Sequence, residues 1–332
     1  MLSECQNTQA RLARSPHKRV PTSRTPQQRF CVSSMSRSKR YLSVFCSVVW
    51  SVCASLPAHG RSRLTRLHDL PEAHFKEGDV IPHLLHQSWK TPTLPSAAHE
   101  AWRQSWLEQN PSWRVVLWTD EQNRALVQNH FPWLLAFYDT LEGVYRADLV
   151  RPLYMHLYGG VYADIDFVAL RPFDELLQRQ SQDVHLILGQ DCGWLIDRSK
   201  SKREQVCSEY DQSIPNAFMA STPKHPFWSY VIIQILKAAS VPNTEWENPA
   251  VITGPKPLFH ALQQYNQHAA DNGLHTDVEV LLDEVYPLSW TEHDVDLGCC
   301  FVWDSNTLNV DCCRDMFPNS WVMTFWSATW QQ

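Results

Sequence analysis

The chain has no apolar run of 20 residues, no C-x-x-C pair, no Asn-x-Ser/Thr sequon and no basic excess beyond its first 40 residues. Without C-x-x-C, the spacing that zinc ribbons use is missing. Without a sequon, the sequence gives no sign of N-glycosylation. The 29 Lys/Arg and 35 Asp/Glu are unevenly placed. Residues 1–40 hold nine of the basic residues and one acid, Glu4, which leaves 20 basic against 34 acidic residues in the remainder. A body of that sign argues against nucleic acid as a partner. No internal repeat is evident, which excludes repeat arrays. The chain is otherwise that of a globular protein, 332 residues long with 44% apolar residues and 15 Trp. So many large rings fill a core or form platforms for flat ligands.

The apolar, uncharged stretch Tyr41 to Leu56 falls short of the roughly 17–20 residues that a membrane span needs. Flanking residues can lengthen it. Ser36-Arg-Ser-Lys-Arg40 before it predicts a cytoplasmic N-terminus. The expected organisation is a basic cytoplasmic tail at 1–40, a signal anchor at 41–56, a stem at 57–79 and a luminal globular domain at 80–332. A cleaved signal peptide, with a small-residue site near Ala54 to Ala58, is one alternative, and an organellar transit peptide is another. Beyond residue 57 there are six cysteines: Cys192, Cys207, Cys299, Cys300, Cys312 and Cys313. The even number fits an oxidising compartment. Cys192 with Cys207 would close a polar loop, and the two adjacent pairs would staple two segments.

Several elements are legible from apolar spacing. Strands are predicted within Val80–Trp89 and over Trp113–Trp118, Val184–Leu188 and Val278–Leu282. Helices are predicted over Ala98–Asn110, Glu121–Asn129 behind an Asp120 cap, Trp133–Tyr138 and Pro226–Ala239. The charged residues 197–212 read as a loop. This alternation predicts an α/β domain with a mostly parallel sheet, whose ligands bind beyond the carboxyl ends of the strands.

The chemistry concentrates between Tyr145 and Asp166. Val161-Tyr-Ala-Asp164-Ile-Asp166-Phe-Val-Ala-Leu170 reads as one apolar strand. Alternate residues share a face, so Asp164 and Asp166 point the same way. Two carboxylates about 7 Å apart along a strand repel each other when ionised. A divalent cation removes that repulsion, and an all-oxygen site suits Mn²⁺ or Mg²⁺ with phosphate oxygens completing the shell. D-x-D alone is a weak signal. A second pair, Asp294 and Asp296, lies in a polar stretch that reads as a solvated turn.

The context separates the two pairs. Gly159-Gly160 lets the chain turn sharply from a helix into the strand. On that helix Asp148 and Arg151 are three apart and share a face, an acceptor and a donor suited to sugar hydroxyls. Asp148 reads equally as a helix N-cap with a surface ion pair to Arg151, because Pro152 favours a helix start near Asp148.

Asp148-x-x-Arg151 followed by Leu157-Tyr-Gly-Gly-Val-Tyr-Ala-Asp-Ile-Asp166 resembles the D-x-D sugar transferases of glycosyltransferase family 32. That family includes Och1-type α-1,6-mannosyltransferases and inositol-phosphoceramide mannosyltransferases. The likeness extends to Ile81-Pro-His-Leu-Leu-His86-Gln-Ser-Trp89 and Asn110-Pro-Ser-Trp113. It weakens through Asn216, His225-Pro226 and Thr253-Gly-Pro255.

The resemblance implies a GT-A fold: a Rossmann-like mixed α/β sheet flanked by helices. It implies a retaining, metal-dependent hexose transfer from a nucleotide-sugar to a glycan or glycolipid acceptor at a Golgi or ER membrane. GDP-mannose is the favoured donor and a UDP-sugar the alternative. By position Asp164 and Asp166 serve catalysis and the metal, and Asp164 also lies by the donor. Asp148 and Arg151 hold the donor hexose, Trp89 lies near the base, and Asn216 near the reacting carbon. Thr324 stands where the family has a histidine able to complete the metal site, leaving that position to water, to His293 or to an Asp. A relative that binds sugar-nucleotide without turning it over is the other reading of Thr324.

Overall fold

The computed structural model describes residues 81–191, 194–197, 202–205, 214–241, 248–289 and 297–327. The expected tail, anchor and stem lie outside these residues, as do Cys192, Cys207, His293 and the Asp294/Asp296 pair. Among the described residues no helix is long and apolar enough to cross a membrane.

The described chain opens with β1 (Leu84–Ser88), α1 (Ala97–Gln109), β2 (Arg114–Trp118), α2 (Asp120–His130), α3 (Leu135–Thr140) and α4 (Val144–Tyr158). It continues through β3 (Gly160–Ala163), β4 (Phe167–Ala169), α5 (Phe173–Arg179), β5 (Leu186–Gly189), β6 (Trp194–Asp197), β7 (Lys202–Gln205) and β8 (Phe218–Ser221). The last third holds α6 (Phe227–Ser240), α7 (Pro249–Ile252), α8 (Pro255–Asp271), β9 (Val278–Leu281), β10 (Phe301–Val302), β11 (Thr307–Leu308), α9 (Val310–Met316) and β12 (Val322–Thr324).

Six strands form one sheet in the order β2-β1-β3-β8-β5-β9. The pairs β1–β2, β1–β3 and β5–β9 are parallel. Strand β8 runs antiparallel to both β3 and β5, so the sheet is mixed rather than mostly parallel. Its two faces bury different cores, as alternation along central strands requires. Leu85 packs with Trp106 of α1 and Val161, whereas Tyr162 packs with Leu153 and Tyr154 of α4 and with Trp228 of α6.

Three local expectations change. The cap of α2 is Thr119, which forms a reciprocal capping box with Gln122, one residue ahead of Asp120. The charged stretch 197–212 includes β7, paired antiparallel with β6, rather than only loop. Asp148 is no cap: α4 starts at Val144 and carries Pro152 in its interior. An internal Pro costs about 3 kcal/mol in a helix. Here every residue from Asp148 to Met155 is buried, and that packing outweighs the lost hydrogen bond.

The helix stops where the two glycines allow it. Gly159 has φ +61° and Gly160 φ +90°, both in the left-handed region. A Cβ on Gly159 would lie 2.5 Å from Pro223 N, and one on Gly160 would overlap the Leu84 carbonyl. The turn is therefore open only to glycine, and it delivers β3 into the sheet beside β1.

The disulfides Cys299–Cys312 and Cys300–Cys313 tie the start of the β10–β11 hairpin to α9, as the adjacent cysteine pairs suggested.

Candidate active site

The single strand expected over Val161–Leu170 is broken in two. Strand β3 ends at Ala163, and β4 resumes at Phe167 to pair with β12 instead of the large sheet. Between them Asp164 N donates to Ala217 O at 2.9 Å, and Phe167 N donates to Asp164 O at 3.1 Å. This turn buries Ile165 and leaves both Asp164 and Asp166 half-buried. A continuous buried strand would have stripped both carboxylates of water, a cost that the turn avoids.

Arg151 reaches the turn from α4. Its Nη2 lies 2.9 Å from Asp164 Oδ1, and its Nη1 lies 3.3 Å from Asp148 Oδ1. The same Nη1 donates to Asn216 O at 3.0 Å. Asn216 Nδ2 donates to Asp148 Oδ1 at 3.0 Å, and Thr253 Oγ1 donates to Asp148 Oδ2 at 2.9 Å. Tyr162 closes the cluster, donating its hydroxyl to Asp164 Oδ1 at 2.6 Å beneath the guanidinium. The Asp148–Arg151 pair is thus buried rather than on the surface, with Arg151 8% exposed.

The electrostatics follow from that burial. Burial works against the Arg151 charge, but Asp164, Tyr162 and Asp148 more than offset it, and the guanidinium is held above its ordinary range. Burial raises Asp148 in spite of Arg151. Asp164 is pushed up to about 6, first by burial and then by repulsion from Asp166, against the pull of Arg151. One donor is left over: Arg151 Nε is buried without a hydrogen-bond partner.

Asp166 faces the C-terminal segment. Its Oδ2 accepts from Ser327 N at 2.8 Å and from Ser327 Oγ at 2.9 Å, and its Oδ1 accepts from Thr324 Oγ1 at 3.3 Å. Its backbone carbonyl accepts from Phe325 N at 3.1 Å. Trp326 adopts φ +48°, uncommon for a bulky residue, to bring Ser327 round. It is held there by stacking on Tyr286 at 5.4 Å and by Nε1 donating to Leu288 O at 3.0 Å. Thr324 therefore orients Asp166. His99 of α1 lies near this carboxylate: burial lowers its basicity and Asp166 opposes the shift. Its Nδ1 pairs with Ser96 Oγ at 2.8 Å, and its buried Nε2 has no hydrogen-bond partner.

Among the described residues no three of His, Cys, Asp and Glu converge as a ready-made metal cage. Two half-buried carboxylates and a serine hydroxyl at one turn nonetheless form a hard, all-oxygen donor set. It fits a small divalent cation that takes its remaining oxygens from phosphate and water.

Of the residues singled out by sequence, Asp148, Arg151, Asp164 and Asn216 form one bonded cluster, and Asp166 shares the turn. Trp89 is half-buried just past β1, under Lys90 Nζ, which lies 5.3 Å from its ring. Strands β1 and β3 run parallel, with His86 opposite Tyr162, so Trp89 and Asp164 follow the carboxyl ends of neighbouring strands. Trp89 therefore lies at the same strand edge as the turn. Tyr162, Thr253, His99 and Ser327 were missed. Tyr162 and Thr253 had a signal, in the Leu157–Asp166 and Thr253-Gly-Pro255 matches.

His86 has a different task. Trp118 Nε1 donates to its Nδ1 at 3.0 Å, and its Nε2 donates to Gly159 O at 2.9 Å, so the neutral ring latches the glycine turn. Burial pushes it down to about 4. Between that value and 6.5 the unfolded chain binds the extra proton, so this stability is complete above pH 6.5 and lost as pH falls toward 4. From pH 7 to 5 the loss is about 2 kcal/mol. Asp164 titrates in the opposite sense, so the contrast with a variant carries the result. Urea midpoints of wild type are expected to fall by more over that interval than those of His86→Gln, and equal slopes would refute the latch.

These features define a D-x-D turn gripped by a buried Arg–Asp cluster at the carboxyl edge of a mixed α/β sheet. Residues 96–183 match the family model described as "Glycosyltransferase sugar-binding region containing DXD motif", a match that takes in Asp148, Arg151, Asp164 and Asp166. The chain is thus related to the D-x-D sugar transferases, as the resemblance implied. It is 27% identical over 215 residues to inositol phosphoceramide mannosyltransferase 2 of Schizosaccharomyces pombe, covering 63% of this chain and 54% of that protein. It is 36% identical over 110 residues to inositol phosphoceramide mannosyltransferase 3 of the same yeast, covering 32% and 30%. With mannosyl phosphorylinositol ceramide synthase CSH1 of Saccharomyces cerevisiae it shares 27% identity over 204 residues, 58% of this chain and 46% of that one. The chain spans about half the length of these relatives, or less. Among solved structures it is similar to the PaToxG glycosyltransferase, with a TM-score of 0.40 and 13% identity over 71% of this chain and 80% of that one.

Proposed function

We propose that the chain is a retaining glycosyltransferase that moves a hexose, mannose from GDP-mannose in the favoured case, to the head group of a glycolipid or glycan. The observation that carries this reading is the Asp164–Asp166 turn locked to Arg151 and Asp148. Related proteins named for mannose transfer to inositol phosphoceramide support the donor and acceptor classes.

Asp164 and Asp166, with the Ser327 hydroxyl, would hold Mn²⁺ or Mg²⁺. Bound there, the cation would supply charge to offset that developing on a departing diphosphate. The protein's own groups do the rest. Arg151 would donate to a hydroxyl of the donor hexose. Asp148 has both oxygens engaged, so it fixes Arg151 and Asn216 in place. Trp89 offers its ring to the base. Thr324 and Ser327 fix Asp166.

The paired disulfides support a luminal setting, and we assign residues 41–56 as the anchor of a single-pass type II Golgi or ER protein. Protease protection of the full chain in intact microsomes tests that orientation. The activity is tested by incubating the detergent-solubilised full chain with GDP-mannose or UDP-galactose, with and without Mn²⁺. Cation-dependent release of GDP is expected. Release of UDP instead would shift the donor class, and release of neither would sink the enzyme reading.

A further inference from the structure

Exposed Trp is rare enough to ask what it is for, and Trp303 is 56% exposed. It follows β10 in the hairpin that the two disulfides tie down at Cys299–Cys312 and Cys300–Cys313. The ring does not lie flat on the surface. It stands nearly perpendicular to three buried or half-buried rings: Phe301 at 4.9 Å and 82°, Trp102 at 6.1 Å and 85°, and Phe325 at 6.1 Å and 81°. Trp102 and Phe325 are themselves stacked at 4.8 Å. These supports hold the indole upright and preorganise it.

The position is as informative as the exposure. Phe325 is the residue whose N–H donates to the Asp166 carbonyl. Trp303 therefore packs on a residue whose backbone bonds the D-x-D turn, on the side formed by the C-terminal segment. The other cluster residues, Arg151, Asp148 and Asn216, approach the turn from α4 and the entry to β8. Asp304, Ser305 and Thr307, close to Trp303 in sequence, are exposed and carry carboxylate and hydroxyl groups, the two hydroxyls pairing with each other at 2.7 Å. A flat aromatic face with such groups close to it in sequence suits a six-membered ring polyol. Its C–H bonds lie on the negative face of the indole while its hydroxyls pair at the rim. Among the described residues the other apolar side chains more than half exposed, Val241 and Leu274, follow α6 and α8 singly.

We propose that Trp303 is the platform for the acceptor: its indole face receives the pyranose or inositol ring of the head group and presents a hydroxyl toward the Asp164–Asp166 turn. The assignment rests on the glycosyltransferase reading for its role, but the binding itself does not depend on turnover.

The test separates the two. Saturation-transfer NMR on the full chain, with methyl α-mannopyranoside in one arm and myo-inositol in the other, is expected to show transfer to ring protons in at least one arm. That signal should be lost in Trp303→Ala and largely kept in Trp303→Tyr. In kinetics, Trp303→Ala should raise the acceptor KM at least tenfold and leave acceptor-free hydrolysis of the nucleotide-sugar within twofold of wild type. No transfer to either polyol in wild type, or an unchanged signal and KM in Trp303→Ala, overturns the platform. Polyol binding that depends on Trp303, in a protein that hydrolyses no nucleotide-sugar, keeps the platform and removes the enzyme reading instead.

Discussion

Asp166→Asn is expected to lower sugar transfer and donor hydrolysis by about 10²–10³-fold, the loss usual for one preorganised electrostatic group. The fold should survive, because an Asn oxygen still accepts from Ser327 N and the Thr324 hydroxyl keeps a partner. What disappears is the negative charge that, on the proposed reading, would hold a divalent cation at the turn. Rates measured across a Mn²⁺ titration, with the thermal midpoint of the same samples, decide the matter. A variant that keeps more than a tenth of wild-type activity would remove Asp166 from the catalytic set. An inactive variant that is also unfolded would point to the Ser327 contact as its main role.

Arg151→Met is expected to destabilise the protein by about 3–5 kcal/mol, the range for removing one partner from a buried ion pair. The side chain bridges Asp148 and Asp164 and holds the Asn216 carbonyl, and its removal leaves buried negative charge without compensation. Arg151→Lys should recover only part of that loss, since one ammonium cannot span two carboxylates and a carbonyl in a planar fork. Adding Asp148→Asn to Arg151→Met should restore stability but not activity, because the charge left behind is then smaller. Urea unfolding of the three variants measures each step. A loss below 1 kcal/mol in Arg151→Met would show that water enters the cluster and that the ion pairs are not buried in solution.

The part of the site legible in the sequence is the part that is local. Asp148 and Arg151 lie one helical turn apart, and Gly159-Gly160 marks a turn no other residue fits, so spacing alone aligned them with Asp164. The break at Asp164–Asp166 was not legible, because the apolar residues on either side alternate as in one strand. Only the pairing of β4 with β12, 158 residues away between Asp166 and Thr324, shows that the chain changes sheets there. Thr324 read as a gap in a ligand set; its hydroxyl instead points the carboxylate. Ser327 sits in a segment without periodicity, and a lone polar residue in such a segment carries no signal about the partner that folding brings to it. The antiparallel β8 escaped for a related reason: four small and apolar residues after a polar loop are too short a pattern to set direction.

The bond between Asp166 and Ser327 closes a loop of 161 residues. During translation at about 5–20 residues per second, Asp166 waits roughly 8–30 s for the hydroxyl and amide that hold it. Until then the nascent chain can complete the Asp148–Arg151 cluster, once Asn216 and Thr253 are made, but holds no fixed second carboxylate. The bonded turn is therefore the last part of the site to be completed as the chain emerges.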